Sequence, residues 1–397
     1  MSLSPSLPQP PLPAASGPMW PVVRTGPTPL GRVLRAAASE AGLGDVAAAV
    51  EAGDRLDASQ GERLLAAPPE IVGALADHVR RVRHGDVAWF NRNQHINATN
   101  VCEASCIFCS FSRLEPGADA AYTMTLDQAV GRIRALRDTF VTEVHIVNGL
   151  NRELPFSYYT DLLRAIKEER PDIHIKGFTA VEIHYFAEKF SMTYAEVLER
   201  LVEAGLGSLP GGGAEIFHPR ARRKLCADKV DGDGWLHVHR VAHRLGLRSN
   251  CTMLFGSIER PSERIDHLER LRALQDETGG FQTFIPLRFH NENNRLSALF
   301  EPTPVESLHM VAVARLMLDN IPHIKAYWPM LGIATAQSSL HWGADDLDGT
   351  VREERIYHMA GAETPDALGR QDLVDLIRAA GGVAVERDTL YAVAAEA

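Results

Sequence analysis

From Ile96 onward the chain alternates short, mostly apolar runs with longer amphipathic stretches, and this order leaves few folds open. The runs HINAT, EVHIVNG, HIKGF, LGSLPGGG, RSNCTMLFG, FQTFIPLRF and HIKAYW read as strands. Between them, stretches such as TLDQAVGRIRALRDTF, FSYYTDLLRAIKEE, TYAEVLERLVEAG and VESLHMVAVARLMLDN carry the helical period. Thr125 with Gln128, and Ser262, stand where helices should start. At least six consecutive strand–helix units result. With right-handed crossovers, one sheet wound in one direction closes into a barrel. The expected fold class is therefore α/β, a TIM-type (β/α) barrel. A doubly wound open sheet is the alternative, but no GxGxxG follows the first strand and no Walker loop occurs, so its nucleotide-binding form lacks the usual fingerprint.

What precedes the barrel differs in composition. Residues 1–30 hold nine of the 23 prolines and little periodic hydrophobicity, which predicts a disordered tail. Residues 31–90 are helical in pattern to about Trp89, with Gly42 and Gly53 as helix stops and Ser59 with Glu62 as a capping box, and 91–397 form the barrel with a C-terminal extension. The chain is 45% hydrophobic and 23% charged, as globular proteins are. Its net charge of −10, with both signs interspersed, offers no basic stripe for nucleic acid. No secretory signal and no membrane-length apolar run is found, so a cytoplasmic protein without a membrane partner is expected.

Five cysteines are too few, and odd in number, for a disulfide framework. Three of them, Cys102, Cys106 and Cys109, fall in NATNVCEASCIFCSFSR at the end of the first barrel strand with spacing C-x3-C-x2-C. Three close thiolates can converge on a cluster of soft metal ions. A structural zinc site needs four ligands, and no fourth Cys or His lies in this loop. A 4Fe-4S cluster held by three cysteines keeps one iron open to a small molecule. The bland alternatives are ordinary cytosolic thiols, or an iron–sulfur protein without catalysis, which would normally complete its cluster with a fourth cysteine. Cys226 and Cys251 read as structural or incidental.

CxxxCxxC with an aromatic residue, Phe108, before the last cysteine resembles the signature of the radical S-adenosylmethionine superfamily. The resemblance implies that the open iron chelates the methionine moiety and that one electron releases a 5′-deoxyadenosyl radical, in a barrel lumen that shields it. Longer strings, among them KGFTAVEIHYFAEK, LVEAGLGSLPGGGAEIF, LMLDNIPHIKAYWPMLG and GADDLDGTVREERIYHMAGA, resemble the aminofutalosine synthases of the futalosine route to menaquinone, from about residue 30 to about 390. That family adds the adenosyl radical to 3-[(1-carboxyvinyl)oxy]benzoate, with rearrangement and decarboxylation, and consumes S-adenosylmethionine as a co-substrate. An external electron donor such as flavodoxin or ferredoxin is implied. The dehypoxanthine futalosine cyclase and the tyrosine-using part of FO synthase resemble the chain over the same span. They are expected to carry GGT after the acidic group, where this chain has Asp346-Leu347-Asp348-Gly349-Thr350, and Gln where it has Lys325.

A substrate with two carboxylates needs fixed partners in a buried site. Lys325, one of only six lysines, is a candidate carboxylate partner; the alternative is a lysine snorkelling to the rim. Arg288 and His290 share one face of their strand, and His290 is the better match to the family. Gly149 is expected to present backbone to the methionine amino group, although Asn148 and Asn151 depart from an expected GGLH. Glu182 and Glu215 are candidates for polar contacts with S-adenosylmethionine, Glu215 near the ribose, and Phe108 is expected beside the cofactor. The acids Asp345, Asp346 and Asp348 are expected to cap a helix or anchor late barrel loops rather than bind metal, and His239 with His243 to lie on a solvated helix face rather than bind zinc.

Overall fold

The computed structural model describes residues 19, 20, 22 and 24–394. Its ten strands are β1 Val87–Asn91, β2 Asn93–Ile96, β3 Glu143–Ile146, β4 His174–Gly177, β5 Ser208–Leu209, β6 Arg248–Phe255, β7 Phe281–Arg288, β8 His323–Ile324, β9 Asp346–Gly349 and β10 Val383–Glu386. Strands β2 to β8 form one parallel sheet in sequence order. Each of the seven expected runs supplies one of them, because runs such as Thr252–Phe255 and Phe281–Ile285 are buried on both faces and so lack alternation.

The remaining gap is filled from the C-terminal part of the chain. On one side Asp345 N–H donates to Ile324 O at 3.0 Å and Ala326 N–H to Asp346 O at 2.8 Å; on the other, His95 N–H donates to Arg352 O at 2.9 Å. The segment 345–352 thus lies between β8 and β2 and takes the eighth place, which sets the open-sheet alternative aside. Buried ion pairs fix it. Asp345 is bound by Arg315 and, at 2.5 Å, by His323; Asp346 lies 2.6 Å from Arg387 and Asp348 3.3 Å from Lys325. The acids therefore anchor the barrel's closing segment, as expected.

A second, three-stranded sheet, ordered β10-β1-β9, sits at the closure. Here the sequence reading needs correction. The helical stretch ends with the helix Pro69–His84, and Val87–Asn91 is a strand because it pairs with residues almost 300 positions away (Val87 with Val383), which no local pattern reveals. The capping box of the third helix, Ala58–Ala66, is Asp57 with Gln60, not Ser59 with Glu62. Gly53 does stop its helix, in the left-handed conformation at φ 72°. Of the expected disordered tail, residues 1–18, 21 and 23 lie outside the described ones, and the rest packs on the barrel: Met19 N–H donates to Thr278 O at 3.0 Å, and Arg24 pairs with Asp276 at 2.8 Å. No helix among the described residues is long and apolar enough to cross a membrane.

Candidate active site

The strands' C-terminal ends open into a cavity of about 1600 Å³, including open solvent at its mouth. The loop that follows β2 carries the three cysteines and is tied to its surroundings by backbone bonds. Cys102 N–H donates to Arg113 O at 2.8 Å, Glu103 N–H to Leu150 O at 3.0 Å and Ile107 N–H to Leu225 O at 3.0 Å. All three cysteines line the cavity. Gly149 explains how closely this loop can sit on the barrel: a Cβ there would lie 2.3 Å from Val101 O, so the chain that needs the room is the cysteine loop itself.

The thiols suit a cluster better than an ion. Their sulfurs do not all lie within 4.8 Å of one another, whereas Zn–S bonds of ~2.3 Å in a tetrahedron require roughly 3.8 Å between sulfurs. Burial pushes the Cys102 and Cys106 thiols up, so thiolates are favoured there only with a cationic partner such as iron. The donor set thus fits a 4Fe-4S cluster.

Beneath this loop the lumen is polar. On adjacent strands, Lys176 Nζ donates to Glu143 Oε2 at 2.7 Å, and both side chains are only 2% exposed. Burial alone would push the Glu143 carboxyl up; the ammonium groups of Lys176 and Lys325 override it and hold it below the usual carboxylate range. His95 and His145 face each other across β2 and β3 with ring centroids 4.6 Å apart, and burial keeps both imidazoles below their ordinary pKa. Three of the six lysines, Lys176, Lys229 and Lys325, line this one cavity.

Phe108, Gly149, Glu182, Glu215, His290 and Lys325 all line this cavity. Their engagements differ. Glu182 is occupied as a helix cap: its carboxylate accepts from Thr179 N–H at 2.8 Å and Asn148 N–H at 3.1 Å, and burial pushes its carboxyl up to about 7. Glu215 accepts from Lys229 Nζ at 2.8 Å, and that ammonium sits 5.3 Å from the Phe108 ring centre. His290 Nε2 donates to Met330 O at 2.9 Å. Arg288 also lines the cavity, paired with Glu301 at 2.9 Å, while its Nε is buried without a hydrogen-bond partner. The two departures are satisfied locally: Asn148 Oδ1 accepts from Ala98 N–H at 2.7 Å, and Asn151 Nδ2 donates to Thr99 and Thr123 hydroxyls at 3.0 Å.

One expectation fails. His239 and His243 are fully buried, not on a solvated face; both bond the Ser249 hydroxyl, at 2.9 and 2.8 Å, and His243 also bonds Thr278 at 2.7 Å. Sequence reasoning missed Glu143, His145, Lys176 and Lys229. The signal for the first three was present, as charged or polar residues at alternating positions in EVHI and HIKG, otherwise apolar strands. Lys229 lies on a loop with no pattern to mark it.

Residues 96–271 match the radical SAM superfamily and residues 278–395 the CofH/MqnC C-terminal region. The chain is 46% identical over 359 residues to the aminodeoxyfutalosine synthase of Streptomyces coelicolor, covering 87% of this chain and 92% of that protein. It is 47% identical to the Thermus thermophilus enzyme of the same name, covering 80% and 86%. The chain belongs to the aminodeoxyfutalosine synthase family of radical SAM enzymes. The fold agrees: the FeFe-hydrogenase maturase HydG from Carboxydothermus hydrogenoformans superposes with a TM-score of 0.70 at 19% identity, covering 91% of this chain and 82% of that one. The superfamily uses a 4Fe-4S cluster and S-adenosylmethionine, and in this member Cys102, Cys106 and Cys109 line the cavity.

Proposed function

We propose that this cavity performs the aminodeoxyfutalosine synthase reaction, joining the adenosyl portion of S-adenosylmethionine to 3-[(1-carboxyvinyl)oxy]benzoate, with release of methionine and of one carboxylate as CO2 or bicarbonate. The observation that carries this reading is the meeting of three open thiols and a lysine-lined polar floor in one cavity of a chain with this family membership. Cys102, Cys106 and Cys109 would hold the cluster. When bound, the cluster supplies the electron that cleaves the sulfonium of S-adenosylmethionine.

The chain's own residues do the positioning. Lys325 is nearly buried and its 3.3 Å separation from Asp348 is longer than the Lys176–Glu143 contact, so its ammonium retains donors for a substrate carboxylate. Arg288 supplies a second cation with an unused Nε–H. His290, whose Nε2 is held by Met330, orients the same rim. Phe108, Gly149 and Glu215 border S-adenosylmethionine in this reading, with the Lys229 ammonium fixing the Glu215 carboxylate. Glu182 acts through the helix it caps. The apolar remainder of the wall, including Val147, Leu254, Ile285 and Leu287, excludes water from the reacting carbon. A cytoplasmic location and a flavodoxin or ferredoxin as reductant complete the proposal.

The test is direct. Reconstituted protein given dithionite, S-adenosylmethionine and the enolpyruvyl benzoate should form aminodeoxyfutalosine and methionine, followed by mass spectrometry. Free 5′-deoxyadenosine without any adduct would contradict the assignment.

A further inference from the structure

The two carboxylates of the proposed substrate lie on either side of its ether oxygen, one on the enol carbon and one on the ring, so a single partner cannot hold both. The cavity offers donors at two depths. Lys325 N–H donates to Phe284 O at 2.9 Å, level with the middle of β7, whereas Arg288 ends that strand four residues higher. At ~3.3 Å per residue the two backbone positions differ in level by roughly 13 Å. His145 likewise lies four residues below Gly149, the residue that abuts the Val101 carbonyl next to the cysteines. Lys325 and His145 therefore belong to the floor of the lumen, and Arg288 to its rim.

The floor carries no excess of charge. Lys176 is matched by Glu143 at 2.7 Å, Arg387 by Asp346 at 2.6 Å and Lys325 by Asp348 at 3.3 Å. Glu354, also on the cavity wall, is held by the N–H groups of Ile356 and Tyr357 and by His358. What the floor offers is unused donors. Lys325 meets Asp348 at the longest of these separations, and an ammonium has three N–H groups. The His145 ring is open to the cavity and forms no hydrogen bond among the described residues, so either ring nitrogen can carry the proton toward a ligand oxygen. His95, Glu143, Lys176 and Lys325 surround it, and burial keeps the imidazole neutral. At the rim, Glu301 takes only one amino group of Arg288, and the buried Nε–H has no partner.

The enol carbon must meet S-adenosylmethionine beside the cysteine loop, at the top of the lumen. The carboxylate that is lost sits on that carbon, so it lies near the rim, and the ring carboxylate points down. We propose that Lys325 and His145 bind the ring carboxylate, which the product keeps, while Arg288 binds the enol carboxylate, which is released. His145 thus becomes a specificity-determining residue for the ring substituent. The inference rests on the proposed reaction and deepens it by giving each carboxylate its own subsite.

Three probes separate the subsites: the dicarboxylate itself, 2-phenoxyacrylate, which lacks the ring carboxylate, and 3-(vinyloxy)benzoate, which lacks the enol carboxylate. Affinities are measured by calorimetry on cluster-loaded, oxidised protein saturated with S-adenosylmethionine, where no electron is supplied and nothing turns over. Lys325→Met should weaken the dicarboxylate and 3-(vinyloxy)benzoate about tenfold or more, and His145→Phe about fivefold, with 2-phenoxyacrylate within about twofold of wild type in both. Arg288→Gln should give the mirror image, and it tests the assignment even where a floor variant fails to fold. His145→Gln, which keeps an N–H donor, should lose less than His145→Phe, at equal iron content and S-adenosylmethionine affinity. A floor variant that weakens 2-phenoxyacrylate as much as the dicarboxylate, or an Arg288→Gln protein that weakens 3-(vinyloxy)benzoate instead, overturns the proposal. Wild-type protein that binds the dicarboxylate but forms no aminodeoxyfutalosine with dithionite would overturn the reaction alone and leave the binding comparison standing.

Discussion

Replacing Lys176 by Met should turn the best-buried ion pair of the lumen into an uncompensated charge. Both partners are 2% exposed and 2.7 Å apart, so water cannot take over the solvation of Glu143. Removing one member of such a pair costs ~3–5 kcal/mol. Lys325 also acts on Glu143 and remains in place, which puts the expected loss at the lower end, about 3 kcal/mol, or a fall in Tm of roughly 3–4 °C for a protein of this size. The pH dependence gives the mechanism a signature. In the wild type the Glu143 carboxyl is held below its ordinary value, so its contribution is fully present above pH ~4.5 and is lost only in stronger acid. Without Lys176, burial raises it, the folded state favours the neutral acid, and stability falls as pH rises through that raised value. Lys176→Met should therefore be more destabilised at pH 8 than at pH 5. Glu143→Gln/Lys176→Met should recover most of the loss. Thermal unfolding of the three proteins across this range is the assay. A single variant within 0.5 kcal/mol of wild type at both pH values, or a double variant no more stable than the single, would refute the reasoning.

Gly149→Ala puts a Cβ 2.3 Å from Val101 O and should displace the cysteine loop, lowering iron content while circular dichroism stays native; Gly131→Ala, with nothing within 4 Å, should leave iron content unchanged. Lys325→Met and Arg288→Gln should each raise KM for the dicarboxylate substrate at least tenfold with little change in the affinity for S-adenosylmethionine, read by separate titrations of the two. Glu182→Gln should flatten the stability profile between pH ~4.5 and 7, because the raised native pKa of about 7 makes wild-type stability fall as pH rises through that window. An unchanged slope would show that this carboxyl is not the group responsible.

The barrel was legible because its strands are apolar runs bounded by helices, and that pattern is local. Its closure was not. Residues 345–352 contain three acids, a composition that suggests a loop; they form a strand position because Arg315, His323, Arg387 and Lys325, far apart in sequence, neutralise all three from around the barrel. The cysteine loop was legible from spacing alone, since ligands three and four residues apart on one loop need no tertiary information. The lumen's Glu143–Lys176 pair required knowing which face of β3 and β4 points inward. His239 and His243 were misread because an i, i+4 pair looks the same whether its helix face is wet or packed; Ser249 and Thr278, which satisfy both rings, are distant in sequence. The glycine at 149 lines the cavity, and its missing Cβ also leaves room for the Val101 carbonyl, a contact that no local pattern announces.

The proposed chemistry rests on an iron left open by three cysteines. Electron paramagnetic resonance of the reduced protein, with and without S-adenosylmethionine, tests this most directly. A 4Fe-4S signal is expected whose g values shift when S-adenosylmethionine is added, and which is lost in Cys102→Ala, Cys106→Ala and Cys109→Ala. A spectrum unmoved by S-adenosylmethionine, or a cluster retained in full by any of the three variants, would contradict it.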